Sequence, residues 1–288
     1  DEFSDYDPNN GIAYKPHEYT YGQVSFNNIT FNDNHANSEN GGALYIKIDD
    51  SIDMDRVFLT MDNMTFNKNS APNYGGAIYI SCNEGLPVVV NLTNSTFNEN
   101  NAEGDGGAIC AKASLNMDNC SFADNNNAVS STEGSVIYCY GLNAYNTNFT
   151  NSGCRAVYID FHGYDNSPGV YKQGPFYDKG SESYKYVACN YGLMTFNNVT
   201  FSNCHANSDG SGGAVYIRFN DKEMQNIDKV NITFDNVTFE SNSASGAGGA
   251  VYIDFKDMMV NSAYEYKDYC DGMLTFSNVT FFNNRADD

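Results

Sequence analysis

The chain has 288 residues, of which 36 are acidic and 15 are basic, and its formal net charge at pH 7 is −21. A surface this acidic is repelled by phosphate backbones, so we expect no nucleic-acid partner. Asn is the commonest residue and long helix formers are scarce, whereas 22 Tyr and 19 Phe residues supply apolar mass for a core. This composition disfavours both a helical fold and disorder. No apolar stretch is long enough to span a bilayer.

One short phrase recurs along the chain. Most copies begin with Phe or Met, continue with polar residues and a small apolar residue, and end with Thr or Ser followed by Phe. In chain order the copies lie at 26–31, 61–66, 92–97, 117–122, 145–149, 196–201, 234–239 and 276–281. Each copy is short, rich in β-branched and aromatic residues and bounded by Asn and Asp, which predicts a strand between turns.

A second phrase follows most copies of the first by about ten residues and has the form Gly-Gly-Ala followed by β-branched and aromatic residues. Its copies lie at 41–46, 75–80, 106–110, 134–139, 154–159, 212–217 and 248–253, and those at 134–139 and 154–159 have lost the paired glycines. Strands that recur once per repeat without helices indicate coils stacked in parallel. We therefore predict an all-β, right-handed parallel β-helix of about eight coils.

The predicted solenoid forms a single domain over residues 1–288. Residues 1–23 are expected to be an N-terminal partial coil, and inserted loops are expected near 162–192, 220–230 and 256–272. Loops inserted into a solenoid often carry its specificity. The chain starts at Asp1 without Met or a signal peptide, so we expect a mature product or a piece of a longer protein.

The alternation of side chains along a strand assigns the faces. In the first Gly-Gly phrase Leu44, Ile46 and Ile48 should point inward. In the later phrase Val199 and Phe201 should point inward and Thr200 outward. Stacking of the coils then predicts a phenylalanine spine in the core, formed by Phe31, Phe66, Phe97, Phe122, Phe149, Phe201, Phe239 and Phe281. It also predicts a tyrosine column that points outward, formed by Tyr45, Tyr79, Tyr138, Tyr158, Tyr216 and Tyr252, with Cys110 in the remaining slot.

An Asn three residues after most spine phenylalanines is a candidate for an internal hydrogen-bonded ladder. These residues are Asn34, Asn69, Asn100, Asn125, Asn242 and Asn284, and Ser152 and Cys204 take the slot in two coils. The pairing of this FxxN pattern with GGA[ILV] resembles the repeats of chlamydial polymorphic outer membrane proteins and related β-helical surface adhesins. The resemblance covers roughly residues 24–288. It implies a parallel β-helix at a cell surface and carries over no activity.

Ten asparagines begin the pattern N-x-[ST], which accepts N-linked glycans in a secreted protein. They are Asn28, Asn63, Asn91, Asn94, Asn119, Asn148, Asn198, Asn231, Asn236 and Asn278. We predict glycans on several of them and an extracellular, cell-surface location. Two alternatives stay open. In the first, an Asn-rich repeat produces such patterns by inheritance. In the second, the slot shared by seven of these residues forms a ladder buried at a coil corner.

Eight scattered cysteines favour an oxidising compartment and several disulfides, although the sequence does not select a pairing. Cys110 and Cys139 fall in the same strand of adjacent coils, one residue out of register. His35 and His205 occupy one slot, which repeat inheritance explains better than metal binding. The sequence predicts no catalytic, cofactor-binding or metal-binding residue, and bound calcium in the acidic loops stays an alternative to solvated charge.

The two ends of the chain suggest a function. The last coil stops where its Gly-Gly strand should begin, and residues 9–16 resemble a weak copy of that strand. We expect the ends of successive copies to complete one coil through contacts at Gly11, Ile12, Ala13, Tyr14, Phe281 and Asn284. Repetition of this contact would give a head-to-tail homopolymer, a structural extracellular filament. A longer solenoid, an adhesin that binds a protein or glycan through Tyr-rich loops, and a polysaccharide-active enzyme are the alternatives.

Overall fold

The computed structural model describes residues 21–48, 56–82, 88–127, 134–161, 176–178, 183–185, 190–206, 210–219, 227–254 and 273–287. Every regular element in these ranges is a β-strand, and the strands of successive repeats pair in parallel. The predicted class, an all-β parallel β-helix, is therefore confirmed. The right-handed sense, the number of coils and the single-domain boundary stay predictions.

Each repeat contains a lead strand, which includes the start of the first recurring phrase and ends at a corner of the coil. Lead strands of adjacent repeats pair residue for residue, as where Phe26 lies opposite Met61. Two of these strands are long because they continue from the preceding Gly-Gly strand without a break. The lead strands are Tyr21–Asn27, Arg56–Asp62, Val88–Thr93, Ile109–Asp118, Ser135–Tyr145, Asn190–Asn197, Ile227–Asp235 and Met273–Ser277.

A three-residue phenylalanine strand follows each lead strand and places one spine residue at its centre. These strands form an eight-stranded parallel sheet in which each spine Phe lies opposite the next. Strand pairing in this sheet thus aligns equivalent positions of successive sequence repeats. The strands are Thr30–Asn32, Thr65–Asn67, Thr96–Asn98, Ser121–Ala123, Asn148–Thr150, Thr200–Ser202, Thr238–Glu240 and Thr280–Phe282.

A Gly-Gly strand closes each repeat. Separate strands of this kind are Leu44–Ile48, Ile78–Cys82, Arg155–Phe161, Val215–Phe219 and Val251–Asp254. Between the phenylalanine and Gly-Gly strands lie two-residue strands at Ser70–Ala71, Asn101–Ala102, Asn126–Asn127, His205–Ala206, Ser243–Ala244 and Arg285–Ala286. An antiparallel pair, Phe176–Asp178 with Ser183–Lys185, lies within the predicted insertion at 162–192. Residues 190–192 of that insertion belong to the lead strand Asn190–Asn197, and residues 227–230 of the second insertion belong to Ile227–Asp235. The remainder of the three insertions lies outside the described residues.

Two corners of each coil are made by single residues in the left-handed backbone region. The first corner follows the lead strand at Asn28, Asn63, Asn94, Asn119, Asn146, Asn198, Asn236 and Asn278, with φ between 48° and 55°. The second follows the phenylalanine strand at Asp33, Lys68, Glu99, Asp124, Asn151, Asn203, Ser241 and Asn283. Asn is the side-chain-bearing residue that best tolerates this conformation. The abundance of Asn in the repeat is therefore explained in part by backbone geometry.

The paired glycines make the third corner, and they do so for two reasons. Gly75 has φ = 66°, which disfavours residues with a side chain. Gly76 lies so close to the next coil that a Cβ on it would collide with the carbonyl oxygens of Gly107 and Asn101. The second glycine is therefore required by the close approach of adjacent coils.

Alternation along the strands places the core as predicted. Ile48 is buried, Leu44 and Ile46 are half-buried, and Tyr45 between them is 49% exposed. Val199 and Phe201 are buried at 1% and 0% exposure. The buried apolar residues from Ile48 to Ala250 form one continuous cluster, as expected when every coil contributes to a shared core. The described part of the chain contains no helix with the length and apolarity needed to cross a membrane.

Candidate functional site: ladders, columns and end coils

A ladder of asparagine side chains runs inside the solenoid. The side-chain oxygen of Asn100 accepts hydrogen bonds from the backbone N–H of Asn69 at 3.0 Å and from its Nδ2 at 2.9 Å. The Nδ2 of Asn69 also donates backward to the carbonyl oxygen of Phe31 at 3.1 Å. The side-chain amide of each internal Asn thus has its hydrogen bonds satisfied and also links its coil to the next. A buried amide stabilises a fold when its hydrogen bonds are satisfied in this way. This Asn ladder comprises Asn34, Asn69, Asn100 and Asn125 in one section and Asn242 and Asn284 in another.

The Asn ladder is interrupted where the sequence departs from the FxxN pattern. Ser152 and Cys204 occupy the slot, and both are fully buried. The ladder resumes at Cys204, whose backbone N–H donates to Oδ1 of Asn242 at 3.0 Å. These two coils lie near the insertion that begins after Phe161, so the break in the polar ladder coincides with a break in the repeat length.

The phenylalanine spine is a continuous stack of parallel rings. Adjacent ring centroids lie 4.7–5.1 Å apart, with interplanar angles of 5–11°. Phe66, Phe122 and Phe239 are 0% exposed, whereas Phe281 in the last described coil is 52% exposed. A second stack, formed by Phe196, Phe234 and Phe276 on the lead strands, accompanies the spine with spacings of 4.7 and 5.0 Å.

Seven predicted glycosylation sites lie in a single exposed column, the corner column. They are Asn28, Asn63, Asn94, Asn119, Asn198, Asn236 and Asn278, all at the first corner and all exposed. Most donate Nδ2 to the Oδ1 of the preceding corner Asn, for example Asn119 to Asn94 at 2.8 Å and Asn236 to Asn198 at 3.0 Å. The slot is therefore a ladder, but one on the surface rather than buried.

The other three predicted sites lie elsewhere. Asn148 points outward from the phenylalanine sheet and is exposed. Asn91 is half-buried in a lead strand, where its Oδ1 accepts a hydrogen bond from Asn116 at 3.1 Å. Asn231 is half-buried and its Oδ1 has no hydrogen-bond partner in the described part of the chain. The ten sites therefore divide into eight exposed and two half-buried asparagines, which the N-x-[ST] pattern does not separate.

The tyrosine column forms on the outer side of the Gly-Gly strands, but much of it is covered. Ring centroids of Tyr45 and Tyr79 lie 5.3 Å apart, and those of Tyr138 and Tyr158 lie 5.5 Å apart. Tyr79 is 7% exposed and Tyr158 is 0% exposed, so the column is not a continuous solvent-exposed face. The guanidinium of Arg155 lies over the ring of Tyr158 at 5.4 Å and accounts for part of this burial.

Arg155 is a buried charged residue that the repeat pattern does not predict. It takes the place of the second glycine in a coil that has lost the Gly-Gly pair, and its side chain is 1% exposed. The guanidinium donates to the carbonyl oxygens of Ser211 and Gly212 in the next coil at 2.6–3.0 Å and lies 4.9 Å from the ring centre of Tyr216. Burial lowers the pKa of Arg155 to about 10. In this coil, hydrogen bonds from a charged side chain take the place of the close backbone contact that a glycine allows in other coils. The absence of the second Gly from the repeat is the sequence signal for this difference.

A second buried polar group lies on the same outer face. Asp160 is 6% exposed, accepts a hydrogen bond from the hydroxyl of Tyr138 at 3.1 Å and pairs with Arg218 at 3.2 Å. Burial, and secondarily the Asp160 carboxylate, raises the pKa of Tyr138. These groups tie three successive coils together outside the apolar core, and they are held by one another, as a buried charge requires.

The six cysteines in the described residues, Cys82, Cys110, Cys120, Cys139, Cys154 and Cys204, are all buried free thiols. The prediction of several disulfides therefore finds no support among them, and Cys189 and Cys270 lie outside the described residues. Cys110 pairs with Tyr138, one residue before Cys139, as the sequence indicates. Because neighbouring residues on a strand point to opposite faces, this offset separates the two sulfur atoms. Burial raises the pKa of Cys139 and Cys204 to about 12.

His35 and His205 serve as contacts between coils. Nδ1 of His35 lies 2.7 Å from the hydroxyl of Ser70, and Nδ1 of His205 lies 2.8 Å from that of Ser243. Both bonds join a coil to the following one at equivalent positions. Within the described residues no three His, Cys, Asp or Glu side chains lie close enough together to hold a metal ion.

The last described coil presents core residues to solvent. Leu274 and Phe276 are each 44% exposed, Phe281 is 52% exposed and the outward-pointing Phe282 is 55% exposed. At the other end, Phe26 and Phe31 are half-buried. Of the predicted end contacts, Phe281 and Asn284 lie at the exposed end, whereas Gly11, Ile12, Ala13 and Tyr14 lie outside the described residues.

Comparison with known proteins identifies the repeat unit. A family model of the Chlamydia polymorphic membrane protein repeat matches residues 28–47, 63–81, 94–112 and 236–254. Each match begins at a corner-column Asn, passes through the spine and the Asn ladder, and ends in a Gly-Gly strand. No curated protein and no solved structure matches the chain significantly. The family that this repeat model describes consists of polymorphic membrane proteins. The chain is thus a parallel β-helix that carries the Chlamydia polymorphic membrane protein repeat.

Proposed function

We propose that the chain is a structural subunit of an extracellular filament or surface appendage, whose copies stack head to tail. The exposed apolar coil at the C-terminal side carries this proposal. Phe281 is 52% exposed, whereas Phe239, one coil earlier in the same stack, is 0% exposed. Within the described residues the strand Thr280–Phe282 pairs on one side only, and an edge strand is a template for pairing with another β-structure.

The interior of the solenoid suits a load-bearing role. The Asn ladder, the phenylalanine spine and the backbone pairing of successive coils all run along the same axis. Close-packed interiors have low compressibility, and satisfied polar networks rigidify a core. A subunit built in this way is stiff along the direction in which a filament carries tension.

We also propose that the corner column carries N-linked glycans. Its asparagines are exposed, and one of the two Nδ2 hydrogens remains outside the ladder bond, as in Asn119. Asn148 joins this accessible class. Glycopeptide mass spectrometry of the protein from its native source should find sugar on corner-column residues and Asn148 in preference to Asn91 and Asn231. Sugar confined to those two half-buried sites would contradict the proposal.

The test of the filament is electron microscopy of protein purified without denaturation. Eight strands of the phenylalanine sheet, at ~4.8 Å each, give an axial repeat on the order of 40 Å. Filaments with a repeat near this value are expected. Discrete particles of monomer size at every concentration would overturn the filament role, and an axial spacing far from this value would overturn stacking through the end coils.

A second candidate function is adhesion, which the match to a surface-protein repeat favours. In this case the solenoid is a rigid support, and a partner binds on an exposed face or through the Tyr-rich insertions. Binding of the monomeric chain to cells or to a glycan array, with saturation and without polymerisation, would place adhesion first.

A further inference from the structure

The Asn ladder has a direction, and this direction makes its two ends different. Inside the ladder, Oδ1 accepts from the preceding coil, while the backbone N–H and one Nδ2 hydrogen donate to the following coil. The second Nδ2 hydrogen donates to the carbonyl oxygen of a spine Phe in the preceding coil, as from Asn100 to Phe66 at 3.0 Å. A ladder section therefore ends in donors on its C-terminal side and in an acceptor on its N-terminal side.

Asn284 is the donor end. Its Oδ1 accepts from the backbone and Nδ2 of Asn242 at 3.0 and 2.9 Å, and its own Nδ2 donates backward to Phe239 at 2.8 Å. Within the described residues, its backbone N–H and second Nδ2 hydrogen have no acceptor. The carbonyl oxygen of Phe281 likewise receives no asparagine amide.

Asn34 is the acceptor end. It donates its backbone N–H and Nδ2 to Oδ1 of Asn69 at 3.1 and 2.8 Å. No group in the described part of the chain donates to its own Oδ1, and no spine carbonyl accepts its second Nδ2 hydrogen. Oδ1 of Asn34 thus matches the unused donors of Asn284, and the second Nδ2 hydrogen of Asn34 matches the carbonyl oxygen of Phe281.

The rings at the two ends match as well. Phe281 stacks on Phe239 at 5.0 Å, and Phe31 stacks on Phe66 at 5.0 Å, with nearly parallel planes in both pairs. A ring set on Phe281 at this spacing continues the spine, and Phe31 is the ring that the repeat supplies there. The exposed Phe281 would be covered by the same contact.

We infer that the partner of the C-terminal coil is the N-terminal coil of a second copy of this chain. Asn284 of one copy donates to Oδ1 of Asn34 in the next, Asn34 donates to the carbonyl oxygen of Phe281, and Phe281 stacks on Phe31. A two-fold symmetric contact between like ends would face donors with donors, so the junction is heterologous and open. This inference rests on the proposed filament role and specifies its junction.

Complementation between two end-blocked variants tests the junction. Asn284→Asp keeps the acceptor for Asn242, removes the forward side-chain donor and the backward bond to the carbonyl oxygen of Phe239, and sets a charge against Asn34. Asn34→Ala removes the acceptor at the other end. Each variant alone should need at least about tenfold more protein than wild type to form filaments, equivalent to about 1.4 kcal/mol per contact. An equimolar mixture retains one wild-type junction and should yield dimers in sedimentation velocity.

Controls separate a lost junction from a lost fold. Asn203→Asp changes an exposed corner residue away from both end coils, where φ = 54° accommodates Asp, and should leave assembly unchanged. Phe281→Asp removes the end ring, whereas Phe282→Asp alters an equally exposed ring that points away from the core. Far-ultraviolet circular dichroism checks that each variant is folded.

Two negative outcomes are distinguishable. If wild-type chain never assembles, the filament role fails and the junction fails with it. If wild type assembles and the folded variants Asn284→Asp, Asn34→Ala and Phe281→Asp assemble equally well, the filament role stands and this junction is wrong. Dimers formed by either variant alone, at the concentration at which the mixture forms them, would overturn the head-to-tail polarity.

Discussion

Asn69 donates two hydrogen bonds to a single atom, Oδ1 of Asn100 in the next coil, at 3.0 Å from its backbone nitrogen and 2.9 Å from Nδ2. One side chain therefore satisfies a buried backbone donor and a buried amide at once. The arrangement repeats from Asn34 to Asn125 with the period of the solenoid. Each Asn of the ladder therefore depends on the Asn of the following coil as the acceptor for two of its hydrogen bonds.

Asn100→Ala should lower the free energy of unfolding by at least about 3 kcal/mol, because it leaves two donors of Asn69 and the carbonyl oxygen of Phe66 unpaired in the core. Asn98→Ala is the matched control. Asn98 lies on the outer face, where its Nδ2 donates to Asn67 at 3.0 Å, and its loss should cost about 1 kcal/mol or less. Urea denaturation of the two variants measures the difference. Equal losses would show that the internal ladder adds no stability beyond a surface bond.

Phe122→Ala should destabilise the fold by about 3–5 kcal/mol, since the ring is 0% exposed and stacks between Phe97 and Phe149. Phe281→Ala removes the same ring from the exposed end and should cost only about 1 kcal/mol in the unassembled chain. Thermal unfolding of dilute protein compares them. In assembled filaments the cost at Phe281 should rise toward that at Phe122, and no rise would count against end-to-end stacking.

Gly76→Ala should cost about 2–3 kcal/mol, because the new methyl group meets the carbonyl oxygens of Gly107 and Asn101. Ser135 occupies the corresponding slot in a coil that has lost the glycine pair, and its buried hydroxyl has no hydrogen-bond partner within the described residues. Ser135→Ala should therefore be neutral or slightly stabilising. Chemical denaturation checks both. A tolerated alanine at Gly76 would mean that the coils can separate at this corner.

The pH dependence of stability should contain a contribution from Asp62. Hydrogen bonds from Thr93 at 2.6 Å and Asn94 at 2.7 Å lower the pKa of this carboxyl below its ordinary value of 3.8. A lowered folded-state pKa stabilises the fold above the unfolded value, and the contribution is lost as the pH falls through the folded value. The stability gap between wild type and Asp62→Asn should therefore be present at neutral pH and shrink in acid. Thr93→Val, which removes the first donor, should reduce that gap, and a gap that does not change with pH would contradict the assignment.

The six described thiols should resist alkylation in the native protein. Burial raises the pKa of Cys82 and Cys120 to about 11, so little reactive thiolate exists at neutral pH. Treatment with iodoacetamide before and after denaturation, followed by peptide mass spectrometry, should label these cysteines only in the unfolded chain. Rapid native labelling of Cys120 or Cys139 would show that the core opens, and disulfides at these positions would show that the thiols are paired in the secreted protein.

Much of the site can be predicted from the repeat because equivalent residues stack in register. The inward positions of Val199 and Phe201 and the internal Asn ladder all follow from period and alternation. The sequence could not show that Tyr158 is buried, because what covers an outward side chain is decided by residues far along the chain. Arg155 is the clearest case: its partners Ser211 and Gly212 lie 56 and 57 residues later.

The sequence by itself determined the parallel strand class, the faces of the strands and the residues that stack, because a two-residue alternation repeated at each coil has few ways to bury its apolar side. Only the tertiary structure decided how the columns differ. It placed the corner-column asparagines on the surface, because left-handed residues at a corner turn their side chains away from the core. It also placed six cysteines in the interior as free thiols, and it gave the Asn ladder a direction. Composition and spacing contain none of this, because burial and hydrogen-bond polarity depend on which coils meet in space.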